Sequence, residues 1–247
     1  MRTANPTLTE KTFKQLATPA VGAERMSVSG AVNRTAILLV LLVISAGFVW
    51  AQFIGVAEPT GIIPYILVGA LGGLVVAIVT VFKKEWAPYS SPVYAILEGL
   101  AIGGISVLAE TRFPGIVIQA VGLTFGVLAV LLFAYRSGII KVTEKFRTGV
   151  VAATGAILLV YVATFILGFF GVGIPYIHGS GPIGIIFSVV VVVIAALNLV
   201  LDFDFIERGA EQGAPRYMEW YAAFGLIVTL VWLYLEILRL LSKIRSR

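Results

Sequence analysis

Three observations predict an all-α polytopic membrane protein, a bundle of seven transmembrane helices. The first is composition. Of 247 residues, 59% are apolar and only 13% charged, with a mean hydropathy of +1.01, whereas a soluble domain carries about 25% charge. The second is a set of seven apolar runs, each near the ~20 residues that a helix needs to cross about 30 Å of hydrocarbon. The third is periodicity. Residues 189–201 are almost unbroken aliphatic, where a barrel strand would alternate polar and apolar over about ten residues.

The runs are 35–55, 62–82, 90–109, 113–135, 148–172, 182–203 and 217–241, joined by short connections. Residues 1–34 are polar and mixed in charge, with no apolar core and small-residue cleavage site. They read as a cytoplasmic tail ahead of a transmembrane domain at 35–247, with the first span an uncleaved anchor. Gly179-Ser180-Gly181-Pro182 reads as a turn into the sixth helix, since proline suits a first helical turn. His178 precedes it as a solvated loop residue. No internal repeat at a fixed period is visible.

Orientation follows from the basic residues, which collect in cytoplasmic loops. Thirteen of the 18 Lys and Arg fall on the side of the tail, among them Arg34, Lys83, Lys84, Arg136 and Arg147, so the N-terminus is placed in the cytoplasm. The basic end at Arg239, Lys243, Arg245 and Arg247 then falls outside, against the bias, unless one run is re-entrant rather than spanning. The net charge of +5 suits anionic headgroups better than nucleic acid, because the cations are scattered over loops beside the membrane. With no cysteine and a single histidine, thiol chemistry and multi-histidine metal sites are excluded.

Gly69 and Gly73, Gly99 and Gly103, and Gly122 and Gly126 each repeat at i, i+4 inside a span. Small residues at that spacing let helix backbones approach where apolar surface alone gives no preference over lipid, so all six are expected at helix contacts. The residues that suggest more than packing are acids in or beside the spans: Glu98, Asp202, Asp204, Glu219 and Glu236. A carboxylate at mid-membrane costs about 2.5 to 3.5 kcal/mol on insertion scales, so each implies pairing, protonation or a watery path.

Glu98 lies about 12 Å into its span with no basic residue within a turn, and is either a hydrogen-bonded acid or an ion-path group. Asp202 and Asp204 are i, i+2 and point to different faces, so one is expected inward and the other at the loop. Asn198, one turn before Asp202, favours Asp202 as the inward one. A hairpin centred on Ala210 and Glu211 would bring Asp202 and Glu219 together near the cytoplasmic face, where two carboxylates can share a proton. The alternative for Glu219 is a surface ion pair with Arg216. Glu236, with Arg239 at i+3, is either an ion pair or a second acid of the seventh helix, about 25 Å beyond Glu219.

The chain resembles the transmembrane Bax inhibitor motif family, in particular its bacterial Bax inhibitor-1-like members. The resemblance spans all seven runs and rests on Pro114-Gly115-Ile116-Val117-Ile118-Gln119-Ala120 with Thr124-Phe125, on Asp202-Phe203-Asp204-Phe205-Ile206, and on Leu233-Tyr234-Leu235-Glu236-Ile237-Leu238. It implies a seven-helix bundle in a bacterial cytoplasmic membrane and a calcium leak gated by two aspartates on the sixth and seventh helices. Asp202, followed by Ile206 and Gly209, matches the first aspartate, with Asp204 the second choice. For the other, the motif points to Glu236 and hairpin geometry to Glu219. Here the acid is Glu and the spacing is longer than the family's.

The expected function is therefore a pH-sensitive leak for a cation, Ca2+ above all, since hard cations take oxygen ligands and these carboxylates are the strongly charged ones within the spans. Lipid and a transient Ca2+ are the partners, with no cofactor and no firm metal site. The alternative is a non-conducting interaction protein that regulates a membrane protease or stress response. An enzyme is not expected, because few groups suited to acid-base or nucleophilic work are present.

Overall fold

The computed structural model describes residues 25–56, 60–171 and 179–246. The tail up to residue 24, His178 and Arg247 lie outside the described residues. The described chain forms seven long helices: α1 (Val28–Phe53), α2 (Ile63–Phe82), α3 (Ala87–Arg112), α4 (Ile116–Arg136), α5 (Glu144–Phe169), α6 (Pro182–Glu211) and α7 (Met218–Arg245). Single 3-10 turns at Thr60–Ile62 and Lys84–Trp86 lead into α2 and α3. All seven are long and apolar enough to cross a membrane. The shortest, α2, has 20 residues, about 30 Å, so the described residues contain no half-length re-entrant helix that would move the basic end to the other side.

The helices outrun the apolar runs because polar caps extend them. Ser27 caps α1, its Oγ accepting from Gly30 N at 2.9 Å, so the helix starts at Val28 and already contains Arg34. Thr143 caps α5, accepting from Phe146 N at 3.2 Å with Glu144 in the first turn, which favours the helix N-terminus. Pro182 opens α6, as the turn before it suggests. At its other end α6 continues through Glu211, and Gly213, at φ +65°, takes the left-handed conformation that closes it.

Two compact units divide the chain. One comprises 25–115 of the described chain with Phe205–Val228, and so holds α1, α2 and α3. Its helices approach through glycine. A Cβ added at Gly69 would lie 2.5 Å from both Leu97 O and Ala101 N, at Gly99 2.5 Å from Leu42 O, and at Gly103 2.6 Å from Ala46 O. Ser45 Oγ adds a 2.7 Å bond to Ile96 O between α1 and α3. Val49, Ile62 and Val107 form a core cluster beside these contacts, with Trp50, Phe53, Tyr65, Ile66 and Leu100 packed on it.

The other unit comprises Ile116–Asp204 and Thr229–Arg247. Here the packing expectation for Gly122 and Gly126 fails: both are exposed, and a Cβ at either meets nothing within 4 Å. The buried face of α4 is instead Ile116, Ala120 and Thr124, and a two-residue offset turns the glycines about 200° away from it. Spacing alone does not say which face of a helix meets protein.

Burial is uneven between spans. The most apolar window is 67% buried in α7 and 50% in α3, but only 11% in α5 and 17% in both α2 and α4. Apolar side chains on the last three therefore face lipid rather than a protein core, whereas α7 is enclosed. Gly103→Ala is expected to lower stability in detergent by about 1 to 3 kcal/mol, because a backbone carbonyl stands where the methyl must go. Gly126→Ala should stay within about 0.5 kcal/mol of wild type. Thermal unfolding of the two variants checks both.

Candidate functional site

Each acid singled out in the sequence sits in a different setting. Asp202 and Asp204 are both buried, at 1% and 8% exposure, which corrects the expectation that one would meet the loop. Every residue from Leu199 to Ile206 is buried, so this stretch of α6 has no exposed side, and the helix first meets solvent at Glu207. Arg147, buried in the first turn of α5, donates from Nη2 to Asp204 Oδ2 at 2.6 Å and from Nη1 to Glu144 Oε1 at 3.0 Å. Asn198 belongs to the same polar stripe as Asp202. It donates from Nδ2 to Thr154 Oγ1 at 2.9 Å, which ties α6 to α5.

Glu219 lies in the first turn of α7, but its partners come from the start of the chain. Ser27 N and Ser27 Oγ each donate to Oε1 at 3.0 Å, and Arg34 Nε stands 3.8 Å from Oε2 with its guanidinium over the Trp220 ring at 4.8 Å. A carboxylate at the N-terminus of α1 is where the helix dipole favours one. The α6–α7 connection brings this about. With Gly213 turned, Ala214 O accepts from Met26 N at 2.7 Å and Pro215 bridges to Arg25, which delivers Ser27 to Glu219. Gly30 is required there, because a Cβ would overlap the Glu219 carboxylate.

These partners replace the ion pair with Arg216 that local spacing offers. They also remove the basis for pairing Glu219 with Asp202. Because α6 continues through Glu211, the connection is centred about four residues later than Ala210 and Glu211, and the residue equidistant from it with Asp202 is Ile227, a buried aliphatic.

Glu236, 2% exposed, is held by the Arg239 that the i, i+3 spacing suggests. Arg239 Nη1 donates to Oε1 at 2.8 Å and Oε2 at 3.0 Å, and Tyr161 Oη of α5 donates to Oε1 at 2.9 Å. Arg239 also donates to Tyr161 Oη at 2.7 Å and lies over its ring. Two further basic residues of this end are tied down too. Lys243 Nζ donates to Gly184 O at 3.0 Å and Ser188 Oγ at 2.8 Å, and Arg245 Nη2 to Gln119 Oε1 at 3.0 Å. Glu98 differs from all of these. It is half-buried at the middle of α3, its Oε2 lies 2.9 Å from where a Gly73 Cβ would stand, and among the described residues it has no ion pair.

Sequence reasoning did not find Arg34, Arg147, Ser27, Gly30 or Tyr161 as partners of these acids. The two arginines read as topology signals, and only their places at the edges of apolar runs hint at more. Removing one member of a buried pair leaves an uncompensated charge. Arg147→Met should therefore cost about 3 kcal/mol, and Arg147→Met with Asp204→Leu should recover most of it; chemical unfolding in detergent reads both. Gly30→Ala should cost about 1 to 3 kcal/mol in wild type and much less in a Glu219→Ala background, a coupling that a double-mutant cycle measures.

No curated protein and no solved structure matches the chain. A family model described as Bax inhibitor 1 like matches residues 5–246. With seven membrane-crossing helices and a match over nearly its whole length, the chain is an integral membrane protein of the Bax inhibitor 1 like family.

Proposed function

We propose that this protein is a non-enzymatic, cofactor-free leak for a cation, Ca2+ above all, whose closed state is set by the protonation of Asp202 on α6 and a glutamate on α7. One observation carries the reading: carboxylates buried inside spans, where only pairing or an ion path offsets their cost. Carboxylate oxygens are the ligands that a hard cation prefers. The calcium leak implied by the family resemblance agrees with this.

Glu236 is the better partner in function, because Glu219 is engaged in holding the start of α1. Asp202 and Glu236 belong to one unit, but they lie nine residues before the end of α6 and eighteen after the start of α7, an axial difference of about 13 Å. At that separation the two acids do not share one proton, and each acts at its own level of the bundle, Glu236 beside Arg239 and Asp202 two residues before the Asp204 that Arg147 holds. We place the N-terminus in the cytoplasm of a bacterial cell, on the distribution of loop charge.

Ca2+ flux into proteoliposomes tests the reading across mildly acid to mildly alkaline pH. Wild-type flux should change with pH, Asp202→Asn and Glu236→Gln should lose that dependence, and Glu219→Gln should keep it if the protein remains folded. Folded protein that gives no flux above empty vesicles at any pH overturns the leak, and favours an interaction protein that regulates a membrane protease or stress response.

A further inference from the structure

Between the end of α2 and the start of α3 lies a groove of about 510 Å³ lined by Val76, Val79, Trp86, Tyr89, Ser90 and Val93. Its walls are nearly all hydrocarbon and aromatic. Ser90 presents little polarity, because its Oγ donates to Trp86 O at 3.0 Å and accepts from Thr80 Oγ1 at 2.7 Å. Trp86 and Tyr89 are 58% and 81% exposed and stand where a helix pair ends, the setting in which amphipathic rings occupy the level of lipid headgroups. From Val76 in the groove wall to Lys83 beyond it, α2 rises about 10 Å, enough for the upper part of one acyl chain.

Charge at the mouth selects the headgroup. Lys83, the residue that ends α2, is exposed and has no ion pair among the described residues. Lys84 turns the other way, its Nζ 5.7 Å from the centre of the Tyr221 ring. Glu85 is exposed as well, but it acts on Tyr217, whose phenol is raised above its ordinary pKa by burial first and then by this carboxylate. At about 100° per residue Lys83 falls on the face of α2 that carries Val76 and Val79, one turn beyond Val79, which puts this exposed cation at the end of the groove. We propose that the α2–α3 groove is a binding site for an anionic phospholipid, one acyl chain lying between Val76 and Val93 and the phosphate pairing with Lys83.

A single lysine near a membrane surface favours an anionic over a zwitterionic lipid by about fivefold. The test uses the full chain with Trp50→Phe, Trp220→Phe and Trp232→Phe, so that Trp86 alone fluoresces, in phosphatidylcholine vesicles doped with lipids brominated on the acyl chain. Brominated phosphatidylglycerol should half-quench Trp86 at about a fivefold lower mole fraction than brominated phosphatidylcholine, and Lys83→Gln should bring the two together. Because replacing Trp220 removes a partner of Arg34, native mass spectrometry of the tryptophan-intact protein and its Lys83→Gln variant, offered equal amounts of both lipids, provides a second reading with the same expected ratio. Equal quenching and equal retention by the two lipids overturn the proposal, as does a preference that survives Lys83→Gln. Quenching by neither lipid also overturns it and assigns the groove to another occupant, such as a second copy of the chain.

Discussion

Hydrocarbon offers no hydrogen bonds, so every charge carried into it must be met by the protein itself. That constraint organises the structure described here. Arg34 lies six residues inside α1, Arg147 three inside α5 and Arg239 six before the end of α7, each within about two turns of a helix terminus. Each guanidinium meets a buried carboxylate: Glu219, Asp204 and Glu236. Exposed ion pairs contribute little to stability, but an arginine facing a desolvated acid is costly to remove, most of all Arg147, which is itself buried. The pairs therefore fix which helix ends belong together more than they add net stability.

Between those ends, contact rests on shape. Apolar side chains gain little by leaving lipid for protein, so α1, α2 and α3 associate where glycine lets carbonyl and methylene groups approach within van der Waals range. Gly99 and Gly103 of α3 admit α1, and Gly69 and Gly73 of α2 admit α3. The same opening at Gly73 leaves room for the Glu98 carboxyl at the middle of the span. Packing and an acid at mid-depth thus share one small residue.

The seven spans were legible because each is a long apolar run, and hydrophobicity over twenty residues is a local property. Their ends were less so, since Ser27, Thr143 and Gly213 set them by capping and turning rather than by hydropathy. Sequence located all five acids but, Arg239 apart, not their partners. Arg239 was within reach because it lies one turn from Glu236. Ser27 lies 192 residues from Glu219, and Arg147 lies 57 from Asp204, separations at which a single sequence carries no pairing signal. The glycine repeats were legible as a spacing but not as a direction: Gly99 meets α1, while the equally spaced Gly122 and Gly126 meet nothing.

The bond between Ser27 and Glu219 also bears on how the protein is made. At about 5 to 20 residues per second, Ser27 leaves the ribosome roughly 10 to 40 seconds before the glutamate that will accept from it. Throughout that interval α1 has entered the bilayer with its start unclasped. Its own cap, Ser27 to Gly30, is local and can hold the first turn alone. The long-range contact is available only once the start of α7 has been made, so a chain that stops short of α7 lacks the acceptor for Ser27.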